Sequence, residues 1–329
     1  MHTVNFTCAA KYLPEKIVTN DTLSTFLDTS DEWIFSRTGI KQRHISLNEN
    51  ASDLGTKVCA QLLEQSGITA EEIGLIIVAT ITADFLTPST ACIIQRNIGA
   101  VNAFAFDIGA ACSGFVYALS VAEKYVAAGA VKHAIVVGTE ILSKWLDWRD
   151  RSTCVLFGDG AGGVLLTRGE KDGGKGFVLG ENLLSDGRES ECIVVHPMPV
   201  VHAFNGLEKK ETTLLSMNGR AVFDFVTRNV PPNITEMLDK AGVSLDEIRY
   251  IIPHQANARI VEIIAKKLKI SMDKFYINID QYANTTAATI PIALAEMIEK
   301  GLLKPGNGDK VILVGFGAGA TWGSILIQI

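Results

Sequence analysis

Three residues in this chain have side chains and settings suited to nucleophilic chemistry: Cys112 in DIGAACSGF, His254 in PHQAN and Asn284 in YANTTAA. Cys112 follows a strand-like FAFD run and a small-residue turn, and it opens a helix. There, free amides and the positive end of the helix dipole would favour a thiolate, and Ala111, Ser113 and Gly114 leave room for a substrate. The competing reading is a small buried hydrophobe, like the cysteines at 8, 59, 92, 154 and 192. His254 ends a second strand, and Asn284 lies in a turn just ahead of another helix. Taken singly, such a histidine is commonly structural and such an asparagine commonly a cap. The case for a site therefore rests on convergence.

An internal repeat supplies it. GITAEEIGLIIVA (Gly67 to Ala79) and GVSLDEIRYIIPH (Gly242 to His254) are identical at 5 of 13 positions, at an offset of 175. The same offset aligns Tyr117-Ala118-Leu119 with Ile292-Ala293-Leu294, and an offset of 177 aligns HAIVVG, ending at Gly138, with KVILVG, ending at Gly315. A shared register at separate places argues for duplication of a whole half rather than chance likeness of apolar strands. If the halves are related by a pseudo-twofold, loops leaving equivalent strand ends meet near its axis. The equivalent of Cys112 is then Ala287, three residues from Asn284, and Cys112, His254 and Asn284 converge.

Both halves alternate short Ile/Val-rich strands with amphipathic helices, the pattern of an α/β chain. Expected elements include strands at 104–107 and 249–252 and helices at 112–126, 258–268 and 287–300. A Gly-rich stretch from Gly169 to Gly187, then an irregular polar segment to about Thr213, separates the halves, with the boundary placed at 172 (1–172 and 173–329).

A length of 329 residues suits two domain-sized cores or one large barrel. With 47% hydrophobic and 20% charged residues, the chain has ample apolar surface to bury. A net charge of −6 repels nucleic acid and anionic membrane, so an acidic partner needs a local basic patch. The cysteines form no CxxC pair and have no histidine at ligand spacing, which argues against zinc or a disulfide framework. No apolar run approaches the roughly 18 residues of a membrane span, and MHTVNF lacks a basic segment before an apolar one. A reducing, cytoplasmic setting is expected. Two glycine patterns, GDGAGG from Gly158 and GFGAGA from Gly315, fit a dinucleotide fingerprint in letters only. That turn works by opening a helix onto a pyrophosphate, whereas these run into GVLLTR and SILIQI, both strand-like.

ACSGF, PHQAN, Asn-Thr-Thr-Ala-Ala, SDEWIFSRTGI, FGDGAGG and the C-terminal TWGS together resemble β-ketoacyl-ACP synthase III, in the right order over nearly the whole chain. The resemblance implies a thiolase-like αβαβα five-layer fold from two duplicated halves, usually a homodimer. It implies transfer of an acyl group from acyl-CoA to Cys112, then decarboxylative condensation with malonyl-ACP, with His254 and Asn284 holding the enolate oxygen and the amides of Cys112 and Ala318 serving the acyl-transfer oxyanion. No cofactor or metal is implied, CoA thioester being a substrate. By the same resemblance Trp33 and Arg151 sandwich the CoA adenine, Arg37 lies near the phosphates, and Asn257 and Gly219 lie along the pantetheine arm.

Arg259 matches the tunnel-mouth residue, and Lys266, seven positions on, shares its helical side with Lys267 adjacent, a basic face for an acidic carrier protein. Thr87 in DFLTPST matches the residue that crosses the dimer interface to close the partner's acyl pocket, with Leu142 and Phe157 as candidate walls. Two departures stand out. The C-terminal glycine run reads Gly317-Ala318-Gly319, which demands a dihedral that alanine can adopt, and Ala283 replaces a frequent glycine, the milder change. The same Cys-His-Asn set also serves relatives with other acceptors, such as a quinolone-forming synthase. A catalytically silent partner subunit would have lost one of the three.

Overall fold

In a computed structural model, described here for residues 1–171, 176–195 and 214–329, the repeat organises the chain. The first part runs β1 (His2–Tyr12), β2 (Lys16–Thr19), α1 (Asn20–Ser24), α2 (Asp31–Thr38), β3 (Gln42–Ile45), α3 (Ala51–Ser66), β4 (Ile73–Ala79), α4 (Thr90–Ile98), β5 (Phe104–Ile108), α5 (Gly114–Ala127), β6 (His133–Glu140) and β7 (Gly160–Lys171). The second runs β8 (Val178–Ser185), β9 (Ile193–Val195), β10 (Leu215–Met217), α6 (Gly219–Ala241), β11 (Ile248–Pro253), α7 (Ala258–Leu268), α8 (Ile279–Tyr282), α9 (Thr289–Glu299), β12 (Lys310–Gly317) and β13 (Thr321–Gln328). The expected boundary at 172 and most of the polar segment before Thr213 lie outside the described residues.

With β2/β3 and β9/β10 forming separate two-stranded pairs, two large sheets result, ordered β1-β7-β6-β4-β5 and β8-β13-β12-β11. In each, a parallel pair (β4/β6, β11/β12) is extended by antiparallel strands (β7 then β1, β13 then β8). The repeated segments fold alike. Each begins at a glycine capping a helix in the left-handed region (Gly67 φ 67°, Gly242 φ 65°), passes a capping box (Thr69/Glu72, Ser244/Glu247) and enters the strand.

Strand alternation explains the layers. In β4, Leu75 and Ile77 face one side and Ile76 and Val78 the other; in β12, Val311 and Leu313 oppose Ile312 and Val314. α5 and α9 fill the space between the two sheets, which is why Phe115 to Ala122 and Ile290 to Met297 are apolar almost all round. α3 and α4 cover the outer face of the first sheet and α6 and α7 that of the second. The halves interlock reciprocally through missing side chains. A Cβ at Gly138 of β6 would lie 2.4 Å from the Ala287 carbonyl oxygen, and one at Gly315 of β12 would lie 3.0 Å from Ser113 Cα. Each half thus presses its pre-helix turn onto a strand glycine of the other. Both glycine-rich letter patterns end in strands, β7 and β13, with no helix to receive a pyrophosphate. Among the described residues no helix is long and apolar enough to cross a membrane.

Candidate active site

Cys112 lies in a 3₁₀ turn, Ala111–Ser113, one step before α5 rather than in its first turn. The equivalent turn, Thr286–Ala288, precedes α9, so the second helix begins at Thr289 and not at 287. Both turns open on a non-glycine residue of positive φ, Ala111 at 45° and Thr286 at 50°. Such backbones cost energy and persist where the surroundings hold them. Here the holding groups are explicit: Ser113 Oγ donates to the Thr321 carbonyl at 2.9 Å, and Gly317 lies so close that a Cβ there would sit 2.8 Å from Cys112 Cβ.

The thiolate expectation does not survive burial. Desolvation pushes the Cys112 thiol well above its usual range, and the buried carboxyl of Glu140 adds to the shift; the local backbone N–H lowers it only in part. Cys112 therefore rests as a neutral thiol. Glu140, at the end of β6, is itself pushed up to about 7 by desolvation while accepting from Ile81 N, Thr80 Oγ1 and Thr82 Oγ1.

His254 continues from β11, its N–H bonded to the Val314 carbonyl at 2.7 Å and its ring edge-to-face with Phe316. Its Nδ1 lies 2.7 Å from Thr289 Oγ1, and burial pushes its pKa down to about 3, so the imidazole is neutral. Asn284 is stitched to the FGDG segment: its N–H donates to the Leu156 carbonyl and its own carbonyl accepts from Gly158 N, both at 3.0 Å. Its Oδ1 accepts from Thr286 N at 2.8 Å, which leaves the Nδ2 protons for a ligand.

Cys112, His254 and Asn284 line one cavity of about 250 Å³ together with Ala318, Gly219, Asn257, Leu142 and Phe157. Not all of the predicted residues meet there. Trp33, Arg37 and Arg151 lie outside the cavity, the two guanidinium carbons 4.6 and 5.0 Å from the indole centroid. At that distance no ring fits between the Arg151 guanidinium and the Trp33 indole. Asn257 is the N-cap of α7, its Oδ1 accepting from Arg259 N while its Nδ2 donates to the Arg37 carbonyl. Among the described residues a Cβ at Gly219 would meet only Met217 Cε, at 3.9 Å.

Arg259 is exposed but spends its guanidinium on the Ser36 carbonyl of α2, and Lys267 donates to the Thr227 carbonyl of α6; Lys266 is exposed. Thr87 is exposed in the loop after β4 and does not line the cavity of its own chain. The walls also include residues that sequence reasoning passed over, among them Ile81, Leu156, Phe316, and Ile193, Val195, Leu215 and Met217 of the β9/β10 pair. Glu140 and Thr289 carried a signal only in hindsight, a lone acid ending an apolar strand and a third threonine after Asn284.

The two alanine departures change places. Ala318 is not among the residues of positive φ, so its methyl is accommodated, whereas Ala283 sits at φ 54°, ψ −157°, a region essentially reserved for glycine. Ala283→Gly is expected to stabilise the protein by about 1 kcal/mol, strain relief exceeding the entropic penalty of glycine. A denaturant midpoint that falls rather than rises refutes the strain.

Family models for 3-oxoacyl-[acyl-carrier-protein (ACP)] synthase III and for its C-terminal part match residues 106–187 and 238–329. The chain is 49% identical over 328 residues to a β-ketoacyl-[acyl-carrier-protein] synthase III of Clostridium acetobutylicum, covering 100% of this chain and 99% of that one. It is 50% identical over 323 residues to one of Lactococcus lactis subsp. cremoris, covering 98% of each. The crystal structure of 3-oxoacyl-[acyl-carrier-protein] synthase III from Aquifex aeolicus superposes with a TM-score of 0.90 at 41% identity, covering 99% of this chain and 100% of that one.

Proposed function

The chain belongs to the β-ketoacyl-[acyl-carrier-protein] synthase III family, acyltransferases that initiate fatty acid synthesis, and from that premise we propose that one cavity runs both half-reactions. The carrying observation is that Cys112 from one half and His254 and Asn284 from the other line that cavity. An acyl-CoA enters past Trp33, Arg37 and Arg151 with its pantetheine arm along Asn257 and Gly219. The acyl group passes to Cys112 as a thioester, its oxyanion held by the amides of Cys112 and Ala318. CoA leaves as a product; no cofactor takes part.

Malonyl-ACP follows. Loss of CO₂ leaves an enolate whose oxygen takes hydrogen bonds from Asn284 Nδ2 and from His254. Neutral donors suit this step, since the apolar wall of Leu156, Phe157 and Phe316 disfavours the carboxylate and not the neutral gas. The enolate carbon attacks the acyl-cysteine carbonyl, the C–S bond to Cys112 breaks, and the leaving thiolate takes a proton from water, giving 3-oxoacyl-ACP and the free thiol. Intact mass after mixing with a panel of acyl-CoAs tests the reading directly, because the adduct must map to Cys112.

The layered, duplicated architecture supports a thiolase-like assignment, with halves 1–172 and 173–329, and a cytoplasmic enzyme fits the pathway. A homodimer is supported by β5, an edge strand whose Phe104 is exposed, stacks with Phe106 and meets Tyr125 edge-to-face, beside a loop baring Phe85 and Leu86.

Carrier-protein docking falls to the exposed side of α7. Arg259 braces α2, the helix that bears Trp33, so replacing it would disturb CoA binding as well. Lys266 is the cleaner probe: Lys266→Glu is expected to raise KM for malonyl-ACP roughly fivefold, about 1 kcal/mol at a rim charge, with acyl loading unchanged. Equal losses in both steps would remove the docking role.

A further inference from the structure

We infer that Thr289 is a positioning residue whose hydroxyl lets His254 present either a bare or a protonated Nε2 to the cavity without taking up charge. The inference rests on the placement of His254 in the condensing site. Thr289 is the first residue of α9 and is buried. Its Oγ1 lies 2.7 Å from His254 Nδ1 and 3.0 Å from the Thr286 carbonyl oxygen. That carbonyl already accepts the backbone N–H of Thr289, so it does not need the hydroxyl proton.

Two arrangements are therefore complete. In one, the hydroxyl donates to the Thr286 carbonyl and accepts from Nδ1–H, leaving Nε2 bare. In the other, the hydroxyl turns to donate to a bare Nδ1, and Nε2 carries the proton. Neither leaves a buried polar group unpaired and neither charges the ring. The partner's chemistry matters here. A carboxylate or carbonyl in this place would allow only the first arrangement, and a backbone N–H only the second.

The two half-reactions need opposite faces. Cys112 is a neutral thiol, so its proton must go somewhere as sulfur attacks. A bare Nε2 receives it while the new C–S bond forms, the ring being an imidazolium only for the life of the tetrahedral intermediate, and returns it to the CoA sulfur as the old C–S bond breaks, so that the ring is neutral before and after the step. The balance is acyl-S-CoA plus Cys–SH giving acyl-S-Cys plus CoA–SH. In condensation the bond to the malonyl carboxylate breaks, CO₂ leaves, and the electron pair moves onto the thioester oxygen. That oxygen needs a donor, which a protonated Nε2 supplies. Between the steps one proton is gained and one lost by exchange with water in the vacated cavity.

The test uses the whole protein labelled with ¹⁵N-histidine, the His254 signals being assigned by their loss in His254→Gln. The expected result is that both ring nitrogens of the parent show shifts averaged between the two neutral tautomers. Thr289→Val, the same shape without the hydroxyl, is expected to change that pattern and to slow malonyl decarboxylation by about tenfold or more, one buried hydrogen bond's worth. Thr289→Ser restores both. A parent ring fixed in one tautomer in the free and the acylated protein overturns the inference. So does a Val variant that loses activity with unaltered ring shifts, which would mean packing alone. Unimpaired decarboxylation in His254→Ala would instead sink the site assignment on which the inference stands.

Discussion

Cys112→Ser is expected to abolish acyl loading, whereas Asn284→Ala loads normally and loses malonyl decarboxylation by roughly 10²- to 10³-fold, the usual cost of one oxyanion donor. The separation follows from what each group touches. Sulfur is the only atom at position 112 that can accept the acyl group. A serine hydroxyl is far less acidic than a thiol, and His254, its pKa pushed down to about 3 by burial, is too weak a base to activate it. Asn284 offers only its Nδ2 protons to the cavity, since Oδ1 is held by Thr286 N, and those protons serve an oxygen that becomes anionic only in the second step. His254→Ala should combine the patterns, with slow but complete loading and no condensation. Intact mass follows the first half-reaction and CO₂ release the second. Normal loading by Cys112→Ser would overturn the nucleophile, and equal losses in both steps for Asn284→Ala would overturn the division of labour.

What could be read in the sequence was what sits next to its own evidence. Cys112, His254 and Asn284 each lie beside a strand end within a recognisable run of letters, and the 175-residue offset brings their turns together before any coordinates are consulted. Helix 258–268 was equally plain, because its apolar face recurs at helical spacing while its other face is charged. Properties that depend on the third dimension were not plain. Helix-end position argued for a thiolate at Cys112, but the depth of burial and the approach of Glu140 from β6 reversed the sign. A missing glycine is visible as a letter, yet only φ tells whether it matters, so Ala318 and Ala283 were ranked the wrong way round. Thr289 and Glu140 work through bonds to residues 35 and about 60 positions away, and no local pattern records such a partner.

Thr87→Phe is expected to shift primer preference toward acetyl-CoA by an order of magnitude or more. Thr87 is exposed in its own chain, between the bared Phe85 and Leu86 and the α4 helix, and of the loop between β4 and α4 Ile81, not Thr87, lines the cavity of that chain. In the proposed dimer the loop crosses to the partner's acyl pocket, whose remaining walls are Leu142, Phe157 and Ile81. A threonine at the closing position leaves space that a phenyl ring would fill. Each methylene that finds such space is worth about 0.8 kcal/mol, close to fourfold, so three added carbons amount to roughly fiftyfold before the pocket is full. Filling the space with Phe should erase that gain for butyryl and longer primers and leave acetyl nearly untouched, because a two-carbon group does not reach it. The comparison is kcat/KM for acetyl-, butyryl- and octanoyl-CoA in the parent and in Thr87→Phe, with sedimentation to follow assembly. A dimeric variant with an unchanged profile would mean that residue 87 does not gate the pocket, and that Leu142 and Phe157 set its depth from within the chain.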